Sequence, residues 1–458
     1  MNVCVIGGAG YVGLVTGLGL AELGHRVVNV DVDADRVARL NRGDSPIYED
    51  GIEPLLRRNL DSGRIRFTEA LSDGLVESEV VFIAVGTPSQ DDGQADLSAV
   101  IQVAEELTSE WSLRRSATGG EPYSVVAVKS TVPVGAVELV RSILQREHRE
   151  GIDFDIVSNP EFLREGKGLH DFFHPDRIVV GACSDRAFQT VRTLYGPLIN
   201  PSSDAGSEPG DVLPVVEVSL TSAQLIKYAS NAFLATRISF INEIAGLCDQ
   251  IGADVSEVTE GMGYDARIGH DYLEAGAGFG GPCLEKDLRA LVKIAEANGH
   301  EARLLKSVLE RNEMQVPAVI AKLKQSLGNL LYRRTIAVFG LAFKAGTNDV
   351  RGSVALKVID RLRKEGAVIR AHDPLAIAEA QRVMPDVQYL SDLYQTVERA
   401  DALLILTEWP EFADVDYDRV LGLMASPVLV DAKNLLDPAH MAALGYRYSS
   451  MGRPSAVS

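Results

Sequence analysis

The stretch Val3-Cys4-Val5-Ile6-Gly7-Gly8-Ala9-Gly10-Tyr11-Val12-Gly13, running on into Leu14–Leu23, decides the fold. Val3–Ile6 is short, apolar and rich in β-branched residues, which reads as a buried strand. Glycines follow at once, and then a segment of helical pattern. Gly8, Gly10 and Gly13 between a strand and a helix allow a tight turn and a close backbone approach to a pyrophosphate. The helix N-terminus adds N–H donors and the positive end of its dipole. Gly7 offers a second register; the Gly8/Gly10/Gly13 spacing is adopted here. The next apolar run, Arg26–Val30, ends at Asp31. A carboxylate there accepts both ribose hydroxyls and repels a 2′-phosphate, so the pattern favours NAD over NADP. Asp33 and Arg36 lie close by, and Arg36 keeps NADP open. The plainer role for Asp31 is a solvated cap on the following helix.

Working outward, Val80–Val85, Ser124–Val128, Phe154–Val157 and Ile178–Val180 repeat the buried-strand pattern, with helical stretches such as Leu97–Leu107 between several of them. That alternation predicts a parallel sheet flanked by helices. Gly86-Thr87-Pro88 and Ser130-Thr131 fall just past strand ends, where ligands bind in such sheets; their hydroxyls would serve equally as helix caps. Asn200–Gly210 reads as a loop or linker. Ser219–Gly252 reads as one long helix, with further helical sequence to Ser326. Thr335–Phe339, Val368–Ala371, Ala402–Leu406 and Val428–Val430 then give a second set of strands. The expected architecture is α/β: two Rossmann-like domains with parallel sheets, joined by a long central helix and a helical region. Gly452–Ser458 reads as a loose tail.

The 458 residues carry a formal net charge of −19. Such acidity disfavours nucleic acid and anionic membrane surfaces, because basic side chains dominate binding to both. An anionic substrate would need a locally basic site. Residues 3–24 are largely apolar, yet no Lys or Arg precedes them and glycines punctuate them, unlike a signal peptide; no other run is long enough to span a membrane. Cys4, Cys183, Cys248 and Cys283 form no CxxC pair and no metal-ligand spacing with histidine, so no metal site is expected. Buried thiols in a reducing cytoplasm are the plain reading.

Three segments carry chemistry. Asn159-Pro160-Glu161-Phe162-Leu163-Arg164-Glu165-Gly166 follows a strand, where catalytic groups tend to sit. Lys227 and Asn231 stand four residues apart, on one face of the long helix, among apolar neighbours. A lysine there must be partnered or have a lowered pKa; a structural ion pair would explain it as well. Gly276-Ala277-Gly278-Phe279-Gly280-Gly281-Pro282-Cys283-Leu284-Glu285-Lys286-Asp287 is a glycine-dense loop that delivers a thiol to the start of a helix, a setting that favours thiolate. In a dehydrogenase, a thiol suits the oxidation of an aldehyde to an acid. Addition gives a thiohemiacetal, its oxidation a thioester, and water releases the carboxylate. Lys227 and Asn231 would stabilise oxyanions, and Asp287 and Glu161 would hold and activate water.

These residues resemble the UDP-glucose/GDP-mannose dehydrogenase family over nearly the whole chain. The resemblance rests on GxGYVG at 8–13, VGTP at 85–88, KSTVPVG at 129–135, NPEFLREG at 159–166, PDRIVVG at 175–181, KYASNAFLATRISFINE at 227–243, GFGGPC..KD at 278–287 and FKAGTNDVRGS at 343–353. It implies an NAD-binding domain over 1–205, a central helical and dimerisation domain over 206–325, and a UDP-sugar-binding domain over 326–458. It implies Cys283 as nucleophile, with Lys227, Asn231, Asp287, Glu161 and Thr131 as the polar catalytic set. Cofactor contacts are implied for Gly8, Gly10, Tyr11, Val12, Gly13, Asp31, Arg36, Thr87, Thr131, Glu165, Lys286 and Arg351. Substrate contacts are implied for Glu161, Phe162, Leu163, Lys227, Asn231, Phe279, Gly280 and Lys344, and for Arg267 toward the substrate of a second subunit. Lys344 and Arg351 supply the local positive charge. The implied protein is a cytoplasmic homodimer, or higher homo-oligomer, acting on a nucleotide sugar, without nucleic acid or membrane. NPEFLREG and PDRIVVG favour the UDP-glucose branch; GDP-mannose, UDP-N-acetylmannosamine and a non-catalytic nucleotide-sugar sensor are the alternatives. Departures from the family pattern are Pro282, which removes an N–H beside the thiol, Leu284 and Glu285, and Lys433 in place of a frequent arginine.

Overall fold

The computed structural model describes residues 1–90, 93–118, 123–200 and 213–454, with the backbone alone for 112–118. Most of the expected 200–210 linker and the proposed 205/206 boundary therefore lie outside the described residues. The chain forms two compact units, Met1–Ala229 and Ser230–Ser458. The helix Leu220–Ile251 contains the boundary between them.

The first unit holds one eight-stranded sheet. Its strands are β1 (Asn2–Ile6), β2 (Arg26–Val30), β3 (Ile65–Thr68), β4 (Val80–Ile83), β5 (Ser124–Val128), β6 (Phe154–Ser158), β7 (Ile178–Ala182) and β8 (Val215–Val218), in the order β3-β2-β1-β4-β5-β6-β7-β8. Pairing is parallel throughout except between β6 and β7, which are antiparallel. β4, β5, β6 and β7 are buried along their whole length, as sheets covered by helices on both faces require. Helix Tyr11–Glu22 follows β1 and is buried from Gly13 to Ala21, because its glycines let it lie close to its neighbours. A Cβ at Gly19 would stand 2.2 Å from the Phe172 ring.

The second unit repeats the first six positions. β9 (Thr335–Phe339), β10 (Val368–His372), β11 (Gln388–Tyr389), β12 (Ala402–Ile405), β13 (Val428–Asp431) and β14 (Arg447–Ser450) pair in the order β11-β10-β9-β12-β13-β14, all parallel. This 3-2-1-4-5-6 order is the doubly wound dinucleotide-binding arrangement, whose ligands sit outside the carboxyl ends of the strands. The expected pair of Rossmann-like sheets is what the chain forms. Helices Val255–Gly263, Leu284–Ala297, Arg303–Glu313 and Gln315–Leu327 precede this sheet.

The tail reading needs correction over its described part. The Gly452 N–H donates to Asp249 Oδ1 at 3.1 Å, its carbonyl accepts from the Val255 N–H at 2.8 Å, and Arg453 donates to the carbonyls of Asn434 and Leu436. Gly452 has φ +70, and a Cβ there would meet Ala245 at 2.5 Å, so this residue is pinned. Residues 455–458 lie outside the described residues.

Candidate active site

In the first unit, the glycine turn at the carboxyl end of β1 is built for close approach. Gly7 has φ +82, and a Cβ at Gly13 would stand 2.2 Å from the Gly7 carbonyl oxygen, so the first helical turn presses onto the strand end. Gly10 differs: a Cβ there would meet only the Gly7 oxygen, at 3.4 Å. Gly10 is also the N-cap of Tyr11–Glu22, with no side chain capping that end. The geometry leaves one open glycine and uncapped N–H groups, which suits a pyrophosphate. Asp31 stands past β2. Its Oδ2 accepts from the Ala9 N–H at 2.9 Å and its Oδ1 from the Asp33 N–H at 3.1 Å, so the carboxylate is fixed beside the glycine turn. Arg36 is turned to Asp33, with Nε–Oδ2 at 3.2 Å and both side chains exposed. Val12 packs at the edge of the core. The Tyr11 hydroxyl donates to Glu49 and lies 2.9 Å from the Arg164 carbonyl; burial, reinforced by Glu49, pushes this phenol well above its ordinary value. Glu49 also receives the Leu169 N–H at 2.7 Å. Tyr11 thus ties the cofactor turn to the segment that contains Glu165.

At the ends of β4 and β5, the Thr87 hydroxyl donates to the Thr131 carbonyl at 2.8 Å, and the Ser130 hydroxyl to the Val85 carbonyl at 2.7 Å. These bonds splice the two loops together and leave Thr131 partly exposed. After β6, Glu161 and Lys227 form a buried ion pair, Nζ–Oε1 3.0 Å, with side chains 8% and 6% exposed. The lysine expected to need a partner has one. Glu161 Oε2 accepts from the Leu163 N–H at 2.6 Å, which bends the loop back on itself. The Phe162 ring lies under the Lys227 ammonium, 5.3 Å from its centroid, and under the Arg177 guanidinium at 3.9 Å.

Two residues of this unit escaped the sequence reading. Arg177 lies within PDRIVVG, but nothing in that stretch announces a ring to stack on. Lys129 follows β5 directly and is buried; its Nζ reaches Asn159 Oδ1 at 3.3 Å and the Tyr195 hydroxyl at 3.4 Å. Burial brings its pKa down to about 8, against the pull of Glu161 and with the push of Lys227. Its signal was a lysine directly after a run of buried strand residues.

In the second unit, Cys283 is exposed and is the N-cap of helix Leu284–Ala297. Asp287, one turn on, is 1% exposed. Its Oδ2 accepts from Asn231 Nδ2 at 2.6 Å and its Oδ1 from Lys286 Nζ at 2.6 Å. Asn231, Lys286 and Asp287 therefore meet within this unit, one helical turn on from Cys283. The loop before it packs on the segment after β9. A Cβ at Gly280 would stand 2.7 Å from the Gly352 carbonyl oxygen, and one at Gly281 would stand 2.7 Å from the Phe343 ring. Lys344 lies over the Phe343 ring, 5.6 Å from its centroid, and Arg351 is exposed and ion-paired to Asp349. Arg267 is 89% exposed and pairs with Asp265 at 2.6 Å. The Phe279 ring, by contrast, packs in the core with Ala235, Leu288 and Val308, so its side chain is spent on structure.

The departures acquire local reasons. Glu285 takes Lys357 at 2.8 Å and Arg289 at 2.9 Å; burial would raise its pKa, but these two cations outweigh burial and hold it low. It fastens the helix, rather than adding charge beside the thiol. Lys433 pairs with Glu408 at 2.8 Å, and burial of that carboxyl is outweighed by the ammonium, so it too is held low. Nothing in the structure explains Pro282.

Comparison with known proteins matches three successive segments of the chain. Residues 1–199 match the NAD binding domain of the UDP-glucose/GDP-mannose dehydrogenase family, residues 221–314 its central domain and residues 337–438 its UDP binding domain. The chain belongs to this family. Its cofactor is NAD, bound by the first of these domains. A UDP-glucose 6-dehydrogenase of Pseudomonas aeruginosa is 43% identical over all of this chain and 98% of its own length. One of Rhizobium meliloti is 42% identical over 99% of this chain and 100% of its own. Among solved structures, a UDP-glucose dehydrogenase of the archaeon Pyrobaculum islandicum superposes with TM-score 0.85 at 39% identity, covering 94% of each chain.

Proposed function

We propose that this chain is a UDP-glucose 6-dehydrogenase, oxidising the primary alcohol of UDP-glucose to the carboxylate of UDP-glucuronate. The identity of 42–43% with curated enzymes of that name, over nearly complete lengths, supports the substrate. The observation that carries the chemistry is Cys283 at a helix N-terminus, with the Asp287 carboxylate one turn away. Neither is needed to oxidise an alcohol once, and both are needed to oxidise an aldehyde through a covalent adduct.

Bound NAD supplies the two-electron acceptor for each of two oxidations. The protein handles protons, carbon and water. In the first unit, Lys227 offers its amine to the substrate oxygen, while Glu161 holds that amine in place. In the second unit, the Cys283 thiolate adds to the aldehyde carbon and forms a C–S bond. The resulting thiohemiacetal, once oxidised, is a thioester. Asp287 orients the water that adds to it, accepts a proton, and the C–S bond breaks to return the thiol. Asn231 and Lys286 hold the Asp287 carboxyl in place, one on each oxygen. In the first unit, Thr131 offers a hydroxyl from the loop after β5. Lys344 and Arg351 face the diphosphate, and Arg267 reaches a second subunit's substrate.

The dimer reading is supported by Phe233, Phe240 and Leu247, which are exposed at seven-residue steps along one helix, with Ile251 beyond them. No helix among the described residues is long and apolar enough to cross a membrane. Four cysteines held as thiols support a cytoplasmic location. The test is stoichiometric. With limiting UDP-glucose and excess NAD, two NADH should form per sugar. One per sugar would point to a simple alcohol dehydrogenase; none, with measurable binding, would point to a sensor.

A further inference from the structure

We infer that Asn312, aided by Asn242 and Gln315, is a splint that sets the backbone of the loop carrying Cys283, and so positions the thiol for its covalent step. This rests on the assignment of Cys283 as nucleophile.

The loop Gly276–Gly281 contains four glycines in six residues. Glycine loses more conformational freedom on ordering than any other residue, so such a loop holds one shape only if something outside it imposes that shape. Three buried amide side chains do so. Asn312 Oδ1 accepts from the Phe279 N–H at 2.9 Å, and its Nδ2 donates to the Phe279 carbonyl at 2.9 Å. One side chain thus pairs both backbone groups of one residue, as a neighbouring strand would. Gly276 is gripped in the same way by two residues. Its N–H donates to Asn242 Oδ1 at 2.8 Å, and its carbonyl accepts from Gln315 Nε2. Between these grips Gly278 has φ +98, and a Cβ there would stand 2.6 Å from Asn312 Oδ1.

Asn242, Asn312 and Gln315 are 1%, 8% and 1% exposed, and they come from the helices Leu220–Ile251, Arg303–Glu313 and Gln315–Leu327 respectively. Each meets a backbone group that water cannot reach. An amide carries its donor and its acceptor on two separate atoms that reach both backbone groups of one residue, which neither a carboxylate nor a hydrocarbon can do. The chain leaves this clamp at Phe279 and arrives four residues later at Cys283. Gly280 and Gly281 are fixed on the way by Gly352 and Phe343. The direction of the thiol is therefore set by the Asn312 clamp at one end of the turn and by the helix at the other.

The test uses the full-length protein and the variants Asn312→Ala and Gln315→Met, the second removing only the bond to Gly276. Alkylation by iodoacetamide is followed by peptide mass spectrometry, with exposed Cys183 as the internal reference, alongside kcat, KM and NAD affinity. Displacing a reacting group by about 1 Å costs on the order of 100-fold in rate. Asn312→Ala should therefore lower kcat by about that factor, change the Cys283-to-Cys183 alkylation ratio at least threefold, and leave NAD affinity within twofold. Gln315→Met should move the first two readouts in the same direction by less. If Asn312→Ala does not fold, Gln315→Met decides alone, on its smaller changes in kcat and alkylation ratio. Folded variants with wild-type kcat and an unchanged alkylation ratio would overturn the inference. The alkylation ratio needs no substrate, so it still reads the splint if the nucleophile assignment fails on its own test.

Discussion

Replacing Asp287 by Asn separates what this carboxylate does for the fold from what it does for the reaction. Asp287 is 1% exposed and takes Asn231 on one oxygen and Lys286 on the other, each at 2.6 Å. Asparagine has the same shape but only one acceptor. Whichever way its amide turns, an NH₂ group faces either the Asn231 amide or the Lys286 ammonium. One charge-assisted hydrogen bond, about 1.5–3 kcal/mol, is lost, and a donor is left unmet. The Lys286 side chain is 17% exposed, so water recovers part of that loss. We expect about 2 kcal/mol of destabilisation of the second unit, read from the urea dependence of alkylation at buried Cys248, whose protection midpoint should fall by about 1 M. Loss of the base should slow thioester hydrolysis by about 10²–10⁴-fold. The acyl group should then accumulate on Cys283, visible as added mass on the intact protein. A variant that shows the stability loss but turns over at the wild-type rate with no acyl adduct would refute the catalytic role and leave Asp287 a structural acceptor.

Four glycine, acid and lysine substitutions test the first unit. Gly13→Ala forces a methyl to 2.2 Å from the Gly7 oxygen and should cost both stability and NAD binding, whereas Gly10→Ala meets only a 3.4 Å contact and should keep stability while weakening NAD at least about tenfold by calorimetry; equal NAD affinity in Gly10→Ala would mean that the pyrophosphate lies elsewhere. Asp31→Asn should shift the NAD-to-NADP preference toward NADP by about tenfold or more in kcat/KM, since the carboxylate that repels a 2′-phosphate is gone; an unchanged ratio would contradict its ribose role. Lys129→Met tests the buried ammonium. Because its pKa falls to about 8 on folding, the unfolded chain holds the extra proton from about pH 8 to 10.5, and stability from this group rises with pH across that window, by roughly 3 kcal/mol. In urea unfolding the variant should therefore gain on the wild type at about pH 7 and lose that advantage by about pH 10; a difference independent of pH would show that folding does not lower the Lys129 pKa.

The cofactor half of the protein was legible because its signals are local. A strand, three spaced glycines and an acid after the next strand all fall within Val3–Asp31, and the structure needs nothing from afar to place them. The strands found from sequence were those with unbroken apolar runs. β3, β8, β11 and β14 were not read, because they are short or interleaved with polar residues at sheet edges. The reversal between β6 and β7 was not legible either, since buried strands look alike in both directions. The reactive loop could be picked out by its glycines and thiol, yet what shapes it could not. Asn242, Asn312 and Gln315 lie on separate helices, and each alone reads as an ordinary polar residue. Glu285 looked like an added charge at the thiol until Lys357 and Arg289 were seen to hold it.

The central claim is that Cys283 forms the covalent adduct through which the aldehyde becomes an acid. The most direct measurement is the product formed by Cys283→Ser from UDP-glucose and NAD, with carboxylate and aldehyde resolved by chromatography and NADH followed in parallel. If Cys283 is the nucleophile, the variant yields aldehyde or a stalled adduct with very little UDP-glucuronate, and fewer than two NADH per sugar. UDP-glucuronate released at the wild-type rate, with two NADH per sugar, would contradict it.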